Sequence, residues 1–452
     1  MKKLTLCLAL LGLLALGGQA SAVIGTIDDV PAATLLLPYF EVDIENTDGV
    51  NTLFSINNAS ASAVLAHVTV WSDQSVPVLD FDVYLTGFDV QTISLRDIFV
   101  SGNLPRTAST SQDPSGSALN AGISPRGAAS LLPFGDISYA SCTSLPYPTG
   151  FVSASFRSHL QNWLQGLPST APGFTSLCAG SKTQDGILRG YITVDTVNAC
   201  NLFFPSDWAL YAPFVTNQNV LWGDYFYVNS AQNFAQGETL VHIEACPAET
   251  LTSASTQPPT ITPIPPGTVC FVPGDHTFYG RYNGALADDG REPLPTTLGV
   301  RYINGGGFDG GTDFLVWREA NSADVAYSCA LQGPSTWYPL EATQIVIFDE
   351  AEQPVTADDC PSGDPTCEQE VVIPNEANRI DVALDLLAPF NFGWAYLNLQ
   401  HLNPGFVAIY GDGFAQAWVT AVMDADGRFS VGFDAIQFDN ANTPNTTVIP
   451  VP

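Results

Sequence analysis

Beyond Thr34 the chain is built of short runs rich in Val, Ile, Leu, Phe, Tyr and Thr, and each run ends on turn residues. Leu35 to Val42, Asn51 to Asn57, Val64 to Trp71, Val78 to Leu85 and Val90 to Leu95 are such runs. Asp48-Gly49, Asn57-Asn58, Asp73-Gln74 and Thr86-Gly87 punctuate them. Strands recurring at this spacing argue for a sandwich or a barrel. In Ala63 to Trp71, Val64, Ala66, Val68 and Val70 fall on one face and Leu65, His67, Thr69 and Trp71 on the other. Neither face is uniformly polar, so both are expected to be covered. Strand-like runs resume at Ile187 to Val197 and from Val220 through Glu244.

Two stretches interrupt the pattern. Ser101 to Gly150 is dominated by Ser, Gly, Pro, Ala and Thr, which marks long surface loops or an insertion. After it, Phe156, Leu160, Trp163, Leu164 and Leu167 recur at helical spacing until Pro168 stops them, which predicts one short helix with a packing face. Residues 250–268 are rich in Pro, Thr and Ser with little charge and read as a linker. The segments on either side of it match in order. Asn51 to Ile56 answers Thr312 to Trp317, Ala66 to Trp71 answers Thr343 to Phe348, and Thr92 to Asp97 answers the run from Arg379 to Asp385. Arg189 to Val194 answers Phe392 to Leu397, and Trp222 to Glu244 answers Trp418 to Asp439. The expected fold is therefore mainly β: two related β-sandwich domains at 23–249 and 269–452, the first carrying a loop-rich insertion at about 101–183 with a short helix.

Met1-Lys2-Lys3, the apolar run Leu4 to Leu16 and the small residues Ala20-Ser21-Ala22 form the three parts of a secretory signal peptide, residues 1–22. The protein is thus expected to be secreted, either to the medium or to the cell envelope, periplasm or outer surface. No later segment is long and apolar enough to span a membrane. The formal net charge of −31 becomes −33 when Lys2 and Lys3 leave with the signal, and a field of that sign repels nucleic acid. Eight of the nine cysteines follow the signal, an even number that in an exported chain points to disulfides. Cys142 with Cys178 and Cys360 with Cys367 are the expected pairs, since each closes a Gly/Pro/Ser-rich loop. Four cysteines fall on each side of the linker, which would let each half satisfy itself.

Leu53 to Asp97 runs strand, Asn57-Asn58-Ala59-Ser60, two long strands, then a final strand after a turn. In this it resembles the immunoglobulin-like β-sandwich modules of bacterial surface proteins, over about a fifth of the chain. The resemblance implies an architecture and carries no functional residue with it.

Chemistry is sparse. There is no G-x-S-x-G, no S-x-x-K and no metal-spaced pair among His67, His159, His242, His276 and His401. His276, in Pro273-Gly-Asp-His, reads as a surface-loop histidine. No cofactor is called for. Calcium is the one ion the acidic loops provide for, and Asp424 and Asp426 in Asp424-Ala-Asp-Gly are the candidate ligands, although Asp-Gly is equally the favoured hairpin turn. Trp208, Trp222, Asp224 and Tyr225 are the candidate ligand-binding residues, because sugars stack on exposed rings; buried rings would instead fill the core. The leading expectation is a non-enzymatic extracellular binding or structural component whose partner is a protein or polysaccharide. The alternative is a carbohydrate-active protein, a binding module or a glycoside hydrolase. A structural subunit should expose a large apolar patch.

Overall fold

The computed structural model describes most of residues 30–105, 152–246 and 275–444, apart from 321–325, 331–339, 357–372 and 401–414, with short pieces at 251–252, 260–261, 271 and 449. The expected signal peptide, Cys142, Cys360 and Cys367 lie outside the described residues.

In the first half the strands are β1 (Thr34–Asp43), β2 (Val50–Asn58), β3 (Val64–Ser72), β4 (Pro77–Leu85), β5 (Val90–Ser94), β6 (Leu177–Cys178), β7 (Ile187–Val197), β8 (Leu221–Trp222), β9 (Asp224–Asn229), β10 (Phe234–Thr239) and β11 (Val241–Ile243). β12 (Leu251–Thr252) and β13 (Thr260–Ile261) pair with each other inside the Pro/Thr/Ser-rich stretch. The second half adds β14 (Thr297–Ile303), β15 (Gly311–Arg318), β16 (Tyr327–Ser328), β17 (Gln344–Asp349), β18 (Pro354–Thr356), β19 (Ala377–Asp381), β20 (Phe392–Asn398), β21 (Ala417–Asp424), β22 (Ser430–Asp434) and β23 (Ile436–Gln437). Every pairing between them is antiparallel, and the fold is a pair of β-sandwiches. The expected helix is α1 (Ala154–Leu164), capped by the Ser153 hydroxyl accepting the Phe156 N–H. Its Leu160, Trp163 and Leu164 are buried in the first core.

The two halves have the same strand order. The first is β11-β1-β7-β3-β4 over β10-β9-β2-β5; the second is β23-β14-β20-β17-β18 over β22-β21-β15-β19. The correspondence reaches single residues. Trp71 pairs with Tyr191 and the rings stack at 5.5 Å and 2°; Phe348 pairs with Trp394 and the rings stack at 4.3 Å and 5°. Beside them, a side chain at Gly190 would collide with the Trp71 carbonyl oxygen, and one at Gly393 with that of Phe348. Glycine is therefore required at both places by one and the same close approach. The turns that follow carry Ser75 and Glu352, each at φ 58°.

One sequence match is off by a residue. The Thr52 hydroxyl bonds both backbone groups of Glu41, and the Thr312 hydroxyl does the same to Ile303. Phe54 pairs with Ile93 as Phe314 pairs with Ile380. Thr52, not Asn51, is thus the counterpart of Thr312. A one-residue slip sends alternate side chains to the wrong face, so only this register puts Phe54, Ile56, Phe314 and Val316 in their cores.

Each sandwich core is made by alternation. Leu35 and Leu37 on β1, Val68 and Val70 on β3, and Ile192 and Val194 on β7 line the first; Leu298, Val300, Ile347, Ala395, Phe314, Val419 and Ala421 line the second. The β19-β15-β21-β22 sheet also buries its other face, where Leu315, Trp317, Trp418 and Val422 join the first core. Phe278, Tyr279 and Leu294, which follow the Pro/Thr/Ser-rich stretch, belong to that core too. The halves are therefore packed into one body, and ion pairs cross between them: Arg379 to Glu41 at 2.8 Å beside Arg379 to Asp313, with Asn375 bonded to Ser181 at 2.9 Å.

The disulfide linking the halves corrects the expected pairing. Cys178 bonds to Cys329, not to Cys142, because β6 and β16 form a small ladder that sets Cys178 opposite Tyr327 and brings Cys329 alongside. An even cysteine count on each side of a linker does not stop a bridge from crossing it. Cys200 and Cys246 are also disulfide-bonded.

Candidate functional site

The outward faces of the two equivalent sheets differ. In the first half, the register places Thr34, His67, Thr69, Asp80, Asp82, Thr193 and Asp195 on the face turned away from the sandwich core, and all are buried. Among the described residues, chain from 198–218, 275–283 and 289–291 covers them. Asp195 is a hub: Tyr211 and Tyr279 donate their hydroxyls to Oδ2 at 2.8 and 2.7 Å, Thr34 donates to Oδ1, and the Arg291 guanidinium lies 3.3 Å away. His67 holds Asp82 through Nδ1 at 3.0 Å, with Asp80 3.9 Å from Nε2. A second buried cluster joins Arg281 to both oxygens of Glu376 at 2.8 Å and to the hydroxyls of Ser75 and Tyr191. Among the described residues this face is an enclosed polar core.

That core predicts a pH dependence. Burial pushes the carboxyls of Asp73 and Asp289 up to about 6, Asp80 up to about 7 and Glu319 up to about 8. Burial opposes charge on His67, but Asp82, Asp80 and Asp195 together outweigh it and His67 is raised as well. Groups raised by folding stabilise fully below their unfolded values and lose that contribution as the pH passes through their folded ones. Thermal stability should therefore fall between about pH 4 and pH 8, by on the order of several kcal/mol in all. His276, depressed to about 4 by burial, acts the other way and only below its ordinary value near 6.5. Calorimetry across this range checks the expectation; a flat profile would show that these carboxyls are not held protonated.

In the second half the corresponding face is open. Arg301 and Ile303 on β14, Phe392 and Trp394 on β20, and Ile436 and Phe438 on and after β23 line a cleft of about 580 Å³. Phe392 is 49% exposed, Ile436 57% and Phe438 45%. Phe438 lies against Gly299, where a side chain would displace its ring, and stacks on Tyr396 at 6.0 Å. The Arg301 guanidinium sits 5.0 Å over the Phe433 ring. Asp349, Glu350 and Glu352 form the acidic rim. The lining is largely apolar, with carboxylates only at its edge, so the cleft can hold apolar side chains and a basic flank.

A second cleft, of about 520 Å³, lies where the halves meet and is polar. Its two arginines are already engaged, Arg189 by Asp185 and Glu41 and Arg379 by Glu41 and Asp313.

The candidate residues drawn from the sequence do not converge. Trp208 is buried against Tyr211 and Tyr279, and Tyr225 is buried with its hydroxyl 3.4 Å from Thr420. Trp222 is half-buried beside His242, and Asp224, two residues on, is half-buried as well. Asp424 and Asp426 flank a hairpin turn in which Asp426 and Gly427 have φ 50° and 74°, and Asp424 Oδ1 accepts the Gly427 N–H at 3.3 Å. This is the Asp-Gly turn that joins β21 to β22. No group of three His, Cys, Asp or Glu able to hold a metal occurs among the described residues. His276 is buried, not on a surface loop, and Asn442 bonds both of its backbone groups. The open cleft was missed because its residues come from six separate strands, β14, β17, β20, β21, β22 and β23. Its one sequence signal is the alternation Phe392-Gly-Trp394 and Ile436-Gln-Phe438.

No helix among the described residues is long and apolar enough to cross a membrane. No family model, no curated protein and no solved structure matches the chain.

Proposed function

We propose that this is an exported, non-enzymatic β-sandwich protein of immunoglobulin-like type, acting outside the cytoplasm as a binding or structural component. Its contact surface is the open outer face of the second sandwich. The observation that carries this reading is the exposure of Phe392, Ile436 and Phe438 around one cleft on one sheet face, while the equivalent face of the first half is buried. An exposed apolar patch rimmed by charge is the mark of an interaction site, and an aromatic centre with few polar groups suits another protein better than a sugar. The carbohydrate reading draws its remaining support from half-buried Trp394 and the carboxylates of Asp349, Glu350 and Glu352, not from Trp208 or Tyr225.

The test is to fractionate the source cells and medium and size the native protein by light scattering, comparing it with Phe392→Ser/Ile436→Ser. Both positions are exposed, so melting should stay within a few degrees. The natural chain is expected in an envelope-attached or high-mass form and the double variant as a free monomer in the medium. A natural chain that is already a free monomer would overturn the reading. In that case oligosaccharide binding followed by tryptophan fluorescence, with Trp394→Ala as control, decides the alternative.

A further inference from the structure

We infer that this outer face carries a docking site for an extended aliphatic peptide, and that the chain's own C-terminal segment fills it. The inference rests on the binding role given to the same face and names the chemistry of the partner. Gln344 projects on the same side of β17 as Val346 and Phe348, two and four residues on. Its carboxamide donates from Nε2 to the Ile449 carbonyl at 2.8 Å and accepts the Ile449 N–H at Oε1 at 2.9 Å. One side chain thus satisfies both backbone groups of one residue, as a neighbouring strand would. The Ile449 side chain packs with Trp394 on the cluster of Val346, Phe348 and Tyr396.

Each part selects something. The carboxamide reads only backbone and requires that the segment be extended. The cluster of Val346, Phe348 and Tyr396 takes an aliphatic side chain. Pro450 biases Ile449 toward extended conformations. In the first half the equivalent stack is closed by Tyr282, 6.0 Å from Trp71 and nearly parallel to it, next to Arg281 in its buried pair with Glu376. There the cap is locked. In the second half the described contacts of Ile449 are the neutral Gln344 carboxamide and the cluster of Val346, Phe348 and Tyr396, with no buried ion pair among them.

The test removes residues 445–452 and titrates the shortened protein with the synthetic peptide of residues 442–452, reading tryptophan fluorescence and calorimetric heat. Saturable binding is expected, at least tenfold tighter than to the full chain, whose own tail competes at high effective concentration. Gln344→Ala should weaken it at least fivefold, and a peptide with Ile449→Asp should not bind. If the shortened protein melts much lower, full-length Ile449→Asp is the acceptor instead. Absence of binding, or equal binding by Gln344→Ala, overturns the inference. Release of the Phe392→Ser/Ile436→Ser variant from the envelope in that same case would show that only the peptide site fails and the binding face stands.

Discussion

Arg291→Met is expected to lower the unfolding free energy by about 3–5 kcal/mol, among the largest losses any single side chain of this protein can cause. Arg291 is wholly buried. It donates to Thr34, to the Asp289 carbonyl at 2.9 Å, to the Thr216 carbonyl at 3.1 Å and to Asn217 at 3.4 Å, with Asp195 3.3 Å away. Methionine fills most of the volume, so the cost comes from charge and not from a cavity. It leaves the Asp195 carboxylate enclosed with only hydroxyl donors. Lysine should not rescue, because one ammonium cannot reach the acceptors that the guanidinium fork spans. Asp195→Asn in the Arg291→Met background should recover part of the loss by removing the stranded charge. Urea unfolding of the three variants measures this; a loss below about 1 kcal/mol for Arg291→Met would mean that water or another cation reaches Asp195.

Arg291 also shows where sequence reading stops. The strands were legible because each is a short apolar run closed by turn residues, and Ile187–Val197 was placed to the residue. The common plan of the two halves was legible in pieces such as Arg189-Gly-Tyr and Phe392-Gly-Trp, since both glycines answer the same backbone contact. The register of Thr52 against Thr312 was not, because it is fixed by a hydroxyl bonded to a neighbouring strand, and similarity along a chain does not report that. Pairings across great distances leave even less trace. Arg291 meets Thr34 257 positions away, and Cys178 meets Cys329 151 positions away. Counting cysteines on each side of the linker suggested self-sufficient halves, and the shared core shows why the count misled. A sheet buried on both faces makes a domain boundary in sequence into an interior in space.

The candidate site follows the same logic. Aromatic density drew attention to Trp208, Trp222 and Tyr225, yet density along the chain measures core as readily as surface. Trp208 is buried because the chain that covers the outer sheet face packs it against Tyr211 and Tyr279, and Tyr225 because its side of β9 meets Thr420 of the second half. The second half repeats the sheet without closing over it, so Trp394, the counterpart of buried Tyr191, is only half-buried, and Phe392 beside it is exposed. Which copy is covered depends on the connecting segments, and their sequences carry no periodic signal.

Removing the bridge between the halves should be nearly as costly as removing Arg291. Cys178→Ser/Cys329→Ser is expected to lose about 2–5 kcal/mol, because the link closes a long loop and its absence returns that entropy to the unfolded chain. The stronger consequence concerns cooperativity. Leu315, Trp317, Trp418 and Val422 of the second half lie in the first core, and Arg379 and Asn375 bond across the junction. Neither half can therefore unfold without exposing the other's buried surface. Calorimetry of the double variant should show a single transition moved to lower temperature. Two transitions, one of them at its original position, would show that the bridge and not the shared core binds the halves into one unit. In that case Trp317→Ala should destabilise only one of the two.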